Sequence, residues 1–82
     1  MVRDAEIDLI IGRPGRPYAL VEIKSTTKVD ESCVSTMVRL AKDIPNSECY
    51  CLSLDPVAKS IEGVACLPWM QGIDELLSDV WK

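Results

Sequence analysis

Apolar and polar residues alternate along two short stretches near the start of the chain, and turn-forming residues separate them. The first stretch is Glu6–Ile11 and the second is Tyr18–Lys24, with Gly12–Pro17 between them. Gly and Pro gathered between two apolar runs predict a β-hairpin. Side chains along a strand alternate between the two faces of the sheet, so we expect Glu22 and Lys24 to share one face.

The next part of the chain predicts a helix followed by a buried strand. Apolar residues recur at spacings of three and four from Glu31 to Asp43, which is typical of a helix face. Asp30 is placed to cap this helix, and Pro45 limits its other end. The run Glu48–Leu54 is apolar on both faces, as expected for a central strand covered by helices.

The remaining residues predict a short strand and a final helix. Residues 59–63 indicate a turn leading to a strand at Val64–Leu67, and an amphipathic helix follows Trp69. We expect the buried face of this helix to comprise Ile73, Leu76, Leu77, Val80 and Trp81. The element order is therefore β-β-α-β-β-α, an α/β class. A right-handed strand–helix–strand crossover would place the Glu48–Leu54 strand parallel to the strand that carries Glu22.

Three charged residues within the predicted hairpin suggest a metal site. If the polar faces of the two strands coincide, the carboxylates of Asp8 and Glu22 converge with the ammonium group of Lys24. Mg²⁺ is commonly held by one or two protein carboxylates together with water and substrate phosphate oxygens. A neighbouring lysine can bind that phosphate or orient a water molecule. The alternative is a surface ion pair, which contributes only about 0–1 kcal/mol.

The spacing of these residues resembles a known nuclease signature. Asp8, thirteen further residues and the triplet Glu22-Ile23-Lys24 look like the core motif of the PD-(D/E)XK nuclease superfamily. The longer stretches, residues 6–15, 19–26 and 64–70, are similar to the C-terminal nuclease-like domain of bacterial and archaeal P-loop ATPases. The resemblance extends from about residue 3 to residue 77.

The resemblance implies a restriction-endonuclease-like mixed β-sheet with flanking helices. It also implies that Asp8 and Glu22 bind Mg²⁺ or Mn²⁺, that Lys24 positions the attacking water or the phosphate, and that Glu6 assists from further away. The superfamily core usually begins with a helix and a strand that this chain lacks. We therefore expect residues 1–82 to form one domain truncated at its N-terminus. An exposed edge strand would then favour a homodimer or a missing N-terminal ATPase domain as partner.

Composition restricts the remaining chemistry. The 82 residues include no histidine and four cysteines whose spacing does not suit zinc, so we expect reduced and mostly buried thiols. No apolar run is long enough for a membrane span, and no signal peptide precedes the hairpin, so a cytoplasmic location is expected.

Charge is the main argument against a simple nuclease. The net charge is −4, whereas proteins that bind nucleic acids usually carry a basic surface. Arg13 and Arg16, expected on a solvated loop at the hairpin tip, and Arg39 on the first helix are the candidate DNA contacts. Three functions remain open. They are a metal-dependent nuclease acting on DNA, an inactive regulatory or dimerisation module of an ATPase, and a structural domain in which Glu22 and Lys24 form only a salt bridge.

Overall fold

A five-stranded mixed sheet with one helix on each face forms the fold of this computed structural model, which describes residues 8–77. The elements are β1 (Leu9–Arg13), β2 (Arg16–Ile23), α1 (Glu31–Ala41), β3 (Ser47–Ser53), β4 (Lys59–Ile61), β5 (Val64–Pro68) and α2 (Trp69–Leu77). The strand order is β1-β2-β3-β5-β4. The α/β class expected from the sequence is therefore confirmed.

The predicted hairpin is present. β1 pairs antiparallel with β2, with Leu9 opposite Val21, and Gly15 adopts a positive φ of 70° in the turn. Glycine suits this position because it has no Cβ to clash in the left-handed region. Glu6, which was expected in the first strand, lies outside the described residues.

The predicted parallel pairing of the central strands is confirmed. β3 lies parallel to β2, with Glu22 opposite Cys51, and β5 lies parallel to β3. The three parallel strands therefore end at the same edge of the sheet, which we call the carboxyl edge. The opposite edge, which contains the β1–β2 turn and the start of β3, is called the amino edge.

The first helix covers one face of the sheet. Asp30 caps it as predicted, since its Oδ1 accepts a hydrogen bond of 3.0 Å from the Ser32 N–H. Val34 and Met37 are buried against the sheet in a cluster that includes Cys51 and Cys66. All four cysteines are free thiols, two of them buried and two half-buried. Burial raises the pKa of Cys51 to about 12, which keeps this thiol neutral at physiological pH.

The second helix covers the other face and depends on a glycine. Gly72 is buried, and a Cβ at this position would overlap the Leu52 side chain, so glycine allows α2 to approach β3 closely. Leu76 is buried and Leu77 half-buried as predicted, but Ile73 remains 39% exposed, which corrects the expectation for that residue. Val80 and Trp81 lie outside the described residues.

One strand was missed by the sequence interpretation. Lys59–Ile61, read as part of a turn, forms β4 and pairs antiparallel with β5. The two residues between these strands, Glu62 and Gly63, both have positive φ (51° and 85°), as a type I′ hairpin requires. The element order is therefore β-β-α-β-β-β-α.

Arg13 is also placed differently from expectation. It is not on a solvated loop, because its side chain is only 2% exposed. The guanidinium donates to Glu48 Oε1 at 2.7 Å and to the Pro17 carbonyl at 2.8 Å, and it lies 5.8 Å from the ring centroid of Tyr50. The pairing of β1 and β2 is irregular between Ile11 and Arg13, and Arg13 lies on the same face of the sheet as Tyr50. Through this bond to Glu48, Arg13 connects the hairpin with β3.

No helix within residues 8–77 combines the length and apolar character that a membrane span requires.

Candidate functional site

The residues of the predicted metal site lie at the carboxyl edge. Glu22 is near the end of β2, Lys24 follows that strand, and Asp8 immediately precedes β1, which runs in the opposite direction. In open α/β sheets, ligands bind outside the carboxyl ends of the strands. The fold thus brings the three predicted residues to the edge where such sites usually form.

Strand register places Asp8 beside Glu22. Leu9 pairs with Val21, so the preceding residue, Asp8, is level with Glu22 on the neighbouring strand. Asp8 is exposed, and its Oδ2 accepts a hydrogen bond of 2.8 Å from the Ile23 N–H. This bond takes up a backbone donor beside the β1–β2 ladder and holds the Asp8 carboxylate next to the Glu22-Ile23-Lys24 triplet.

Glu22 and Lys24 form an ion pair on the face covered by α1. The Glu22 side chain is 11% exposed, and its Oε2 lies 3.0 Å from Lys24 Nζ. The hydrogen bond with Glu22 raises the pKa of Lys24, although partial burial opposes this. Lys24 is therefore an ammonium at neutral pH. It can stabilise negative charge on a phosphate, and it is poorly suited to accept a proton from water.

Asp8 and Glu22 supply two carboxylates, the type of donor that Mg²⁺ prefers. Two carboxylates on neighbouring strands are sufficient when water and phosphate oxygens complete the octahedron. Within residues 8–77 no cluster of three or more His, Cys, Asp or Glu side chains is placed to hold a metal. Any ion here would therefore be held by Asp8 and Glu22 and would depend on ligands supplied by the substrate. Lys24 already contacts one of the two Glu22 oxygens, so an ion would share that carboxylate with it.

Asp55 is a buried acid that the sequence analysis did not single out. Its Oδ2 accepts bonds from the Val29 N–H at 2.9 Å and from Lys59 Nζ at 2.8 Å, and its Oδ1 accepts from the Val57 N–H at 2.9 Å. The bond with Lys59, followed by the two backbone bonds, lowers the pKa of Asp55 to about 2. A carboxylate directly after a buried strand, with lysine four residues later, was the available sequence signal.

The three predicted DNA-contacting arginines do not surround the carboxylates. Arg16 begins β2, six residues before Glu22, so about 20 Å of strand separates them. Arg13 pairs with Arg16 and therefore lies at the same end of β2, the amino edge. Arg39 is exposed in the last turn of α1, a helix that starts near the carboxyl edge and runs back towards the amino edge.

Comparison of the chain with family models, with curated proteins and with solved structures found no match.

Proposed function

We propose that this protein is a divalent-metal-dependent phosphodiesterase that acts on DNA and belongs to the PD-(D/E)XK nuclease superfamily. The observation that supports this proposal best is the bond of 2.8 Å from the Ile23 N–H to Asp8, just outside the register pair of Leu9 with Val21. Two acids and a lysine from adjacent strands meet at the carboxyl edge, and the domain would have the restriction-endonuclease-like form of that superfamily.

Each residue has a distinct role in the proposed reaction. Asp8 and Glu22 hold Mg²⁺ or Mn²⁺, and Lys24 binds an oxygen of the scissile phosphate. When held by these carboxylates, a divalent ion would supply a water molecule of lowered pKa and would offset charge on the phosphate. The raised pKa of Lys24 supports its role as a cation, because it remains protonated throughout the neutral range.

Nicking of supercoiled plasmid DNA in the presence of Mg²⁺ tests the proposal. We expect the wild-type protein to nick DNA, and we expect Asp8→Asn and Glu22→Gln to lose at least about 100-fold of that activity. Asp43→Asn is the matched control, because Asp43 is an exposed acid beyond the end of α1. Equal background nicking by all four proteins would refute the proposal.

A second function is favoured by the position of β1 as an outermost strand of the sheet. β1 has a sheet neighbour on one side only among the described residues, and unpaired strand edges readily pair with another chain. Glu22 is also already balanced by Lys24. The domain would then be an inactive accessory or dimerisation module of a P-loop ATPase. Sedimentation as a dimer, with no Mg²⁺ or Mn²⁺ binding at millimolar concentration in calorimetry, would favour this function. Both proposals assign the chain to the cytoplasm, where its thiols remain reduced.

A further inference from the structure

Strand β1 has a neighbouring strand on one side only. Within residues 8–77 it pairs with β2 alone, and it stands first in the strand order. An outermost strand presents a row of backbone N–H and carbonyl groups that pair readily with another strand. Leu9 and Ile10, whose side chains lie on opposite faces of the sheet, are 49% and 59% exposed. The apolar side chains of β1 are thus accessible on both faces.

The outermost strand on the other side of the sheet, β4, is protected against pairing. It comprises three residues, begins with Lys59 and is followed by the exposed Glu62. Short strands and charged side chains, lysine above all, are means by which proteins prevent outermost strands from pairing. β1 is longer and begins with Leu-Ile-Ile, and its one charged residue, Arg13, is 2% exposed and bonded to Glu48. The protection found at β4 is therefore missing at β1.

The hydrogen bonds of β2 show which of its residues bond to β1. The Ile23 N–H donates to Asp8 on the β1 side, and the Lys24 N–H donates to the Leu52 carbonyl on the β3 side. Backbone groups of successive residues along a strand point to opposite sides. The odd-numbered residues of β2 therefore face β1, and the even-numbered residues face β3.

This alternation identifies Ile10 as the residue whose backbone groups point outwards. Ile10 is opposite Leu20, an even-numbered residue of β2, so the Ile10 N–H and carbonyl point away from that strand. When two such residues lie opposite each other in an antiparallel pair, they exchange two N–H···O bonds. Two copies of β1 centred on Ile10 fulfil this condition.

We propose that β1 pairs antiparallel with β1 of a second copy of this chain, centred on Ile10, so that two five-stranded sheets join into one. The assembly closes as a dimer, because both copies use the same strand and a twofold axis passes between the two Ile10 residues. Pairing of β1 with β4 of another copy would instead continue without end, and the lysine and short length of β4 oppose it.

The side chains along this seam are compatible with the pairing. In the register centred on Ile10, Leu9 is opposite Ile11 of the second copy, and Asp8 is opposite Gly12 of the second copy. Apolar side chains therefore meet apolar ones, and no like charges face each other along residues 8–12.

A cavity beside β1 adds apolar surface to the seam. It has a volume of about 280 Å³ and is lined by apolar residues alone, among them Leu9 and Ile11 of β1 and Ile73 and Leu77 of α2. Clustered exposed apolar side chains mark interaction surfaces. In the dimer, Leu9 and Ile11 of the second copy lie on the same face next to this cavity. They remove part of its apolar lining from water, which stabilises the pair.

The inference concerns the partner of β1 and rests on neither proposed function. It names the partner, the strand and the register of a dimer, and it is compatible with an active nuclease as well as with an inactive module. Glu22 lies on β2 and Lys24 just after it, outside the seam.

Sedimentation equilibrium at about 5–200 µM protein tests the inference, because an interface between two short strands gives a weak dimer. We expect the wild-type protein to dimerise in this range. Ile10→Lys sets two like charges opposite each other at the axis and should weaken dimerisation at least about tenfold. Ile10→Pro should have a similar effect, since it removes an N–H that points outwards and leaves the bonds between β1 and β2 in place. Circular dichroism establishes that both variants are folded.

Met70→Lys is the matched control for a lysine in place of an exposed apolar residue. Met70 is 68% exposed on α2 and does not line the cavity beside β1. Its substitution should change the dimerisation constant less than about twofold, as expected for a surface position outside an interface.

Disulfide cross-linking tests the register. The Cα atoms of a closely spaced antiparallel pair are about 5.5 Å apart, within the range of about 4.4–6.8 Å that a disulfide spans. Oxidation of Ile10→Cys by oxygen and copper phenanthroline should therefore yield a covalent dimer on a non-reducing gel. The wild-type protein, with its four free thiols, and Met70→Cys should yield much less.

A protein that is monomeric throughout the concentration range would overturn the inference, as would a dimer that neither Ile10 substitution weakens. Dimerisation weakened by Met70→Lys alone would assign the interface to α2 and would also overturn it. Glu22→Gln separates this inference from the proposed nuclease, because it should abolish nicking and leave dimerisation unchanged. Nicking by a protein that stays monomeric would refute the seam alone, and a dimer without nicking would refute the nuclease alone.

Discussion

Two buried carboxylates lie at the ends of neighbouring strands, and each is paired with a lysine. Glu22 Oε2 is 3.0 Å from Lys24 Nζ near the end of β2, and Asp55 Oδ2 is 2.8 Å from Lys59 Nζ just after β3. The two acids are 8% and 4% exposed, so their burial is nearly the same. They differ in the other hydrogen bonds that they accept.

An ionised carboxylate has about four positions at which it can accept a hydrogen bond. Asp55 fills three of them with Lys59 Nζ and the N–H groups of Val29 and Val57. For Glu22, Lys24 is the one partner found within residues 8–77. Asp55 therefore joins three segments of the chain and has little capacity for a ligand. Glu22 retains capacity for a metal ion, and this difference separates a structural acid from a candidate site.

The largest expected difference between the two acids is in DNA nicking. Glu22→Gln keeps the shape of the side chain but removes the charge that would hold the ion, so we expect at least a 100-fold loss, about 2.7 kcal/mol in the activation barrier. Asp55→Asn should retain nicking within a few-fold when equal amounts of folded protein are compared. Initial rates on supercoiled plasmid, with folded protein quantified by circular dichroism, provide the measurement. Equal losses in both variants would make Glu22 a structural acid as well.

Thermal stability should show the opposite ranking. Asp55→Asn replaces one acceptor oxygen with an amide and removes the charge facing Lys59, which leaves that ammonium half-buried without its anion. We therefore expect Asp55→Asn to lower Tm by several degrees. Glu22→Gln should have a smaller effect, because the Asp55 carboxylate also accepts the Val29 and Val57 N–H bonds, whereas within residues 8–77 Glu22 has Lys24 as its partner. Calorimetric or circular dichroism melts at neutral pH compare the variants, and a larger loss for Glu22→Gln would contradict the expectation.

Local sequence signals were sufficient for most of the fold. The hairpin follows from Gly and Pro between two apolar runs, and the start of α1 follows from Asp30, whose side chain caps the helix from two residues away. β4 was missed because three residues are too few to show a period of two. The adjacent pair Glu62-Gly63, both with positive φ, was a usable signal for that hairpin.

The roles of the charged residues were harder to predict because they depend on distant contacts. Asp8, Glu22 and Lys24 could be grouped because one hairpin brings them together. The partner of Arg13 is Glu48, 35 residues later, and Asp55 binds the backbone of Val29, 26 residues earlier. Sequence alone shows that such residues are charged. Tertiary packing decides which of them are buried and which have their hydrogen-bonding positions filled.

The two pairs should lose their stabilising effect at opposite ends of the pH scale. The pKa of Asp55 is lowered from 3.8 to about 2, so its contribution is present above pH 3.8 and is lost as pH falls towards 2. The pKa of Lys24 is raised above 10.5, so its contribution is complete below pH 10.5 and is lost as pH rises through the higher value. Urea unfolding at a series of pH values measures both.

Two variants assign these losses to the individual pairs. Asp55→Asn should flatten the acid limb of the stability curve and leave the alkaline limb unchanged. The free energy of unfolding of Lys24→Met should differ from that of wild type by a constant amount up to about pH 10.5, and this difference should shrink at higher pH. Its amplitude should be smaller than that for Asp55, because the Lys24 ion pair is partly exposed and is screened by salt. The buried thiols also titrate at alkaline pH, so the difference between wild type and Lys24→Met isolates the lysine. An acid limb that Asp55→Asn does not change would contradict the assignment.

The smallest effect is expected from the arginines of the amino edge. About 20 Å of strand separates Arg16 from Glu22, and charges beyond about 8 Å are largely screened at physiological ionic strength. If DNA is bound and cleaved at the carboxyl edge, Arg16→Ala and Arg39→Ala should change the nicking rate less than twofold. Lys24→Ala, assayed on the same plasmid, should abolish it. A tenfold loss in either arginine variant would contradict this expectation and would require the nucleic acid to extend from the carboxyl edge to the amino edge.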